Sequence, residues 1–183
     1  AFHEGFDPLL DRVNCSFRCD ISRSQWQRDA LDGVMNYNVA SGAILREFQR
    51  MVVDRAESLG QFLTTYGGSN PVEANNTYNA AWCIDAWTLG ANGVIPWQTV
   101  GRDSSWKQGE TTCVLYPGGP AGSKEPIPSI RLKAYLRGQQ DVEYLTLLQR
   151  ATGWPRAEIS RQVEQAASIS ATASEETART DSM

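Results

Sequence analysis

The sequence predicts an α/β fold with a parallel sheet, and three observations carry that prediction. A pattern of glycine, apolar strand, polar turn and helix recurs along the chain. Its lead glycines, Gly33, Gly60 and Gly93, lie 27 and 33 residues apart, the length of a βα unit with short loops. Strands alternating with helices imply parallel pairing through right-handed crossovers. About four such units fit in roughly 155 residues, whereas a complete eight-stranded barrel takes about 250. The arithmetic leaves two architectures open, a small open α/β sheet or half of a barrel.

The elements follow in order. Val13 to Cys19 reads as a first strand, and Ser22 or Ser24 caps a short helix through Arg28. Gly33 to Asn38 is the second strand. A helix over 42–59 then places Leu45, Phe48, Val52, Ala56 and Leu59 on one face at the 3.6-residue period. Ser41 is its N-cap and Gly60 its stop. Gly60 to Tyr66 is the third strand, and the turn from Gly67 to Pro71 leads to a helix over 74–89. The face of that helix is read as Tyr78, Trp82, Ala86 and Leu89. Gly93 to Thr99 is the fourth strand.

Residues 100–128 break the rhythm. They are rich in Gly, Pro and Ser, and their one short apolar run is Cys113 to Tyr116. A loop of this length that carries Trp and Tyr reads as ordered and functional. Pro128-Ser129 opens a helix through Arg150 with Ile130, Ala134, Val142, Leu145 and Leu148 inward, and Gly138 is expected to end its first half. Trp154-Pro155 starts a further helix to Ala167. Residues 168–183 are Ala, Ser, Thr and acid, with too little to bury, and read as a disordered tail. The domain therefore spans 1–167.

Composition excludes several functions. Net charge is −4, with 17 basic and 21 acidic residues and no basic stripe. That argues against nucleic acid as a partner. No apolar run approaches the 18 or more residues of a membrane span. No GxSxG, GxGxxG or Walker pattern is present, so neither a serine hydrolase nor a nucleotide-binding protein is expected. Cys15, Cys19, Cys83 and Cys113 form no CxxC, and His3 is the single histidine. Four buried thiols are expected, with no metal and no cofactor. The chain opens on Ala1 without an apolar leader, and it is expected to be a processed product or a piece of a longer protein.

Candidate binding residues follow from the fold. Parallel α/β proteins bind ligands at the carboxyl ends of their strands. Those ends hold Asp20 with Arg23, Asn36 to Asn38 with Tyr37 among them, Tyr66, and Trp97 with Gln98. The long loop adds Arg102, Asp103, Trp106, Lys107 and Tyr116. The chain carries six Trp and six Tyr. Aromatic faces stack on the C–H faces of sugars, and Asn, Gln and Arg bond hydroxyls, so a carbohydrate pocket is expected. Asp85, inside an aromatic helix, is read as a buried structural pair. Sugar hydrolysis usually takes two carboxylates, and none are paired near the strand ends.

Several stretches resemble one family. Ala81-Trp82-Cys83-Ile84-Asp85-Ala86-Trp87 with Gly90, Gly93 and Trp97, then Tyr116-Pro117-Gly118, Pro128-Ser129-Ile130-Arg131-Leu132 and Arg137 to Leu145, are similar to the domain of unknown function 4091 family. That family forms the C-terminal part of glycoside hydrolase family 123-like catalytic domains. The resemblance covers roughly 10–150 and is most specific from Tyr116 to Leu145. It implies a (β/α)8 barrel of which this chain is the C-terminal half. It also implies glycoside hydrolysis by the full-length protein, with N-acetyl-hexosaminides as the substrate class. The family's adjacent Asp-Glu pair, which orients the acetamido group and protonates the leaving oxygen, has no matching position here. The sites expected to touch sugar are Asp20, Arg23, Tyr37, Tyr66, Trp97, Gln98 and Trp106. Arg131 is expected to brace the loop near Tyr116, and Asp141 to cap or pair. The partners expected are a carbohydrate and either an N-terminal barrel half or a second copy. The alternative is a non-catalytic carbohydrate-binding or structural α/β module.

Overall fold

A computed structural model describes residues 18–20, 32–67, 75, 77–109 and 113–180, with backbone alone for 19, 20 and 169–180. Four parallel strands form one sheet in sequence order: β1 (Arg18–Asp20), β2 (Tyr37–Ser41), β3 (Phe62–Gly67) and β4 (Gly93–Pro96). The α/β class and the parallel sheet are as the sequence predicts. The remainder of the expected first strand, the helix through Arg28, His3 and Cys15 lie outside the described residues.

Register assigns the faces. Tyr37 pairs with Phe62, Asn38 with Leu63 and Ala40 with Thr65, while Thr65 pairs with Val94 and Tyr66 with Ile95. Side chains alternate along a strand, so Asn38, Ala40, Leu63, Thr65 and Val94 share one face. Tyr37, Val39, Phe62, Thr64, Tyr66 and Ile95 share the other. The first face meets the helices. Ala40 and Leu63 pack with Leu45 of α1 (Gly42–Glu47), Val52 and Ala56 of α2 (Gln49–Ser58), and Ala86 of α3 (Thr77–Thr88). Burying a leucine contributes about 1.5–3 kcal/mol, so Leu45 and Leu63, both fully buried, anchor this layer.

The helix expected over 42–59 is divided at Phe48, but its periodic face holds, with Leu45, Val52 and Ala56 buried. Ser41 Oγ accepts from the Ile44 amide at 3.3 Å as the expected N-cap, and Gly60 (φ 62°) ends the helical stretch.

The second strand is displaced from its expected position. It covers Tyr37–Ser41 and runs directly into α1, so Asn36 to Asn38 stand at its amino end. Asn38 is 0% exposed. Neither its amide nitrogen nor its amide oxygen has a hydrogen-bond partner, a cost of about 1–3 kcal/mol.

The later helices form a second layer. α3 packs along α4 (Ile130–Thr152), and their seam differs from the expected one. On α3 the buried residues are Asn79, Cys83, Ala86 and Trp87, with Tyr78 exposed. On α4 they are Tyr135 and Gly138, with Ile130 and Leu148 exposed. α4 also runs unbroken through Gly138. A Cβ there would stand 2.8 Å from the Cα and O of Ala80 and from Cys83 Cβ, so glycine permits a close helix crossing and does not stop the helix. Trp82 meets Tyr135 edge-on at 6.1 Å beside it.

α5 (Arg156–Thr180) is tied to the carboxyl end of α3. Arg156 donates Nε to the Trp87 carbonyl at 2.8 Å, Nη1 to Gly90 at 3.2 Å and Nη2 to Ala91 at 2.5 Å. Its guanidinium lies over the Trp87 ring at 4.6 Å. A cation against the carbonyls at and just beyond a helix end adds charge-assisted hydrogen bonds and complements the helix dipole. α5 continues to Thr180, where composition predicts a disordered tail from residue 168. Its Ala and Glu content is intrinsically helix-forming, which a reading based on burial alone does not weigh.

Cys83 and Cys113 are free and buried, as expected. The side chains of the other two cysteines lie outside the described residues. The Cys83 thiol is pushed up to about 11, first by burial and then by the nearby Asp141 carboxylate. Its contribution to stability is full below the unfolded value of about 9 and is lost as pH rises through 11.

Two outcomes are expected. Gly138→Ala destabilises the chain by about 1–3 kcal/mol in urea unfolding, and wild-type stability in that variant contradicts the close crossing. Peptide mapping after iodoacetamide treatment at pH 8 finds Cys83 unmodified until denaturant is added, whereas labelling at the rate of a free peptide thiol contradicts its burial.

Candidate functional site

The sheet face turned away from the helices opens, at the carboxyl ends of β3 and β4, into a concavity of about 810 Å³. Tyr66 and Gly67 come from the end of β3, and Ile95 and Pro96 from the end of β4. Residues 97–102 form the adjoining wall, and Arg18 of β1 faces across. Strand alternation explains the set, since Arg18, Tyr66 and Ile95 all fall on one face by register.

The wall after β4 is fixed by backbone pairing. Val114 N donates to Gln98 O at 3.2 Å, Leu115 N to Thr99 O at 2.8 Å, and Gly101 N to Leu115 O at 2.9 Å. These bonds set β5 (Leu115–Tyr116) beside the extension of β4. β5 then pairs antiparallel with β6 (Ile127–Pro128). Gly101 fits against Cys113 Sγ and Ser105, and a Cβ there collides with both. Ser105, itself buried, accepts from the Arg102 amide at 3.2 Å. Trp97 is 65% exposed at this wall, and the Trp97–Gln98 peptide is cis. Burial raises the Cys113 thiol, and the Ser105 hydroxyl opposes that shift.

The structure brings together four of the expected candidate residues, Tyr66, Trp97, Gln98 and Arg102. It adds Arg18, an aliphatic floor at Ile95, and Val100 at the rim. Tyr37 is not among them. It stands at the amino end of β2, with its ring 5.4 Å from Phe62 and under Arg18 at 5.8 Å, because the strand begins at that residue and does not end there. Trp106 is also outside the concavity. Its indole donates to Pro117 O at 2.9 Å and packs on Tyr116 at 4.9 Å, so it holds the loop together. Asp20 ends β1, on the pocket face by register, with its side chain outside the described residues. Arg23 lies wholly outside them.

Other expected roles resolve as structure. Asp85 takes both terminal nitrogens of Arg46, at 3.3 and 2.5 Å, a structural pair as expected but an exposed one, where the reading places it buried. Asp141 accepts from Arg137 at 3.0 Å within α4. Among the described residues no group of three or more His, Cys, Asp or Glu could hold a metal, and no helix is long and apolar enough to cross a membrane.

No family model, no curated protein and no solved structure matches this chain.

Gly101→Ala is expected to destabilise the chain by about 1–3 kcal/mol, since the methyl must displace Cys113 or Ser105. Thermal unfolding reads this, and an unchanged midpoint contradicts the packed wall.

Proposed function

We propose that this chain is the C-terminal half of a (β/α)8 barrel and forms one wall of a carbohydrate pocket in a glycoside hydrolase-like protein. The observation that carries the proposal is Trp97, a large apolar ring exposed at the carboxyl end of a parallel strand. It stands beside a hydrogen-bonding amide, Gln98, and a second aromatic, Tyr66. An indole held open to water beside polar groups is suited to stack on a sugar ring. The barrel reading is supported by the layering. The helices meet one face of the sheet and the concavity opens on the other, where Val39 and Thr64 are buried at the centre and Phe62, at the amino end, is 50% exposed. Parallel sheets are normally covered on both faces. An N-terminal barrel half or a second copy of the chain would close that face.

The described lining holds two arginines and no carboxylate. In this reading the acid pair that sugar hydrolysis uses comes from outside this wall, and N-acetyl-hexosaminides are the substrate class that the motif similarity suggests.

The test is calorimetric titration of the 183-residue chain with an N-acetyl-hexosaminide oligosaccharide and a panel of common glycans. A single wall is expected to bind on the order of millimolar. Trp97→Ala is expected to weaken this about tenfold, and Trp97→Phe to retain most of it. A flat titration across the panel, or equal affinity in the alanine variant, overturns the reading.

A further inference from the structure

We infer that the outer face of α4 is the contact through which two copies of this chain associate, with their α4 helices antiparallel. That face is apolar where a solvated helix is polar. Leu132, Leu136, Tyr144, Leu147 and Leu148 are each between 40% and 71% exposed. At about 3.6 residues per turn, they fall on the side opposite Tyr135, Gly138 and Val142, which pack inward. A helix that is apolar on both sides is one covered on both sides. A contiguous exposed apolar patch of this kind marks an interaction surface.

The layout of the face identifies a second copy as its occupant. Leu136 and Tyr144 stand four residues before and after Gln140, and Leu132 and Leu148 stand eight before and after it. A twofold contact has this form, because position i of one copy meets position j of the other while j meets i. With Gln140 on the twofold axis, antiparallel helices bring Leu136 of one copy level with Tyr144 of the other. Charge selects the same direction. Lys133 and Arg137 precede Gln140, and Asp141 and Glu143 follow it. An antiparallel pair sets the basic half of one helix against the acidic residues of the other, whereas a parallel pair opposes each charge to its own copy. Arg150, nearer the helix end, comes level with the apolar Ile130.

α4 has 23 residues, about 35 Å of helix. One helix pair buries less than the roughly 800 Å² per partner of a standard interface, so the dimer is expected to be reversible, with a dissociation constant of about 10–100 µM. The concavity opens on the sheet face that the helices leave free. The contact therefore leaves that pocket open and does not depend on the carbohydrate reading.

The experiment is sedimentation velocity of the 183-residue chain from about 1 µM to about 1 mM, a range that brackets that constant. The chain is expected to pass from monomer to dimer. Leu136→Glu and Tyr144→Lys, both at exposed positions, are each expected to raise the dissociation constant about tenfold or more, with wild-type circular dichroism. Register is read by oxidative cross-linking, with the wild-type chain as baseline. Gln140→Cys is expected to form a disulfide-linked dimer, because that position meets its own copy. Leu132→Cys is expected to form none above baseline, because its two copies lie about 24 Å apart along antiparallel helices. A chain that stays monomeric throughout the range overturns the inference. So does a dimer that neither substitution weakens, which puts the contact on another face. Cross-linking of Leu132→Cys to the extent of Gln140→Cys overturns the antiparallel arrangement.

Discussion

The candidate site depends on the close crossing of α3 and α4 at Gly138. With no side chain at that position, α4 lies directly on Ala80 and Cys83. Tyr135 and Val142 then reach Val114 and Leu115, and the same cluster includes Val94 of β4. Those contacts hold the short run from Cys113 to Tyr116. That run in turn carries the backbone bonds to Gln98, Thr99 and Gly101. A helix–helix distance set by one glycine is thus transmitted, through packed apolar side chains and three hydrogen bonds, to the wall that bears Trp97 and Arg102. Interiors pack at near-crystal density, so such a chain of contacts has little slack.

The second constraint is at the other end of α3. Arg156 occupies three carbonyls there, and Ser160 donates to a fourth, that of Thr88, at 3.2 Å. Burial lowers the pKa of Arg156, and Glu57 opposes that shift. A partly buried guanidinium is tolerated because its donors are matched by a helix end that needs them. α3 is therefore clamped between the sheet, α4 and α5, and β4, which follows it directly, emerges in a fixed position. The wall that carries Trp97 begins where this clamped region ends.

Much of this was legible in the sequence, for physical reasons that separate the successes from the failures. Apolar period and glycine punctuation gave the order of the parallel strands and helices, the Ser41 cap and the Gly60 stop, because those are local effects. That Tyr66, Trp97 and Gln98 line one concavity was legible because they stand at the carboxyl ends of adjacent parallel strands. The misplaced features are those that tertiary packing decides. Asn38 reads as a turn residue by type, yet it is buried inside β2. Gly138 reads as a breaker, yet it is the contact that lets two helices touch. Tyr37 and Trp106 carry the right chemistry in the wrong place, one at the amino end of its strand and one bonded to its own loop. Arg18 was hidden because a charged residue inside a strand shows its face only when the register is known.

The central claim is that ligand binds at the carboxyl ends of β3 and β4, on the face that the helices leave open. Hydrogen–deuterium exchange of the full chain, with and without a saturating mixture of neutral and acidic oligosaccharides, tests it most directly. The account predicts added protection confined to the amides of Tyr66, Gly67 and the segment from Trp97 to Arg102, with the α3–α4 seam unchanged. Protection located elsewhere, or none at any residue, would contradict it.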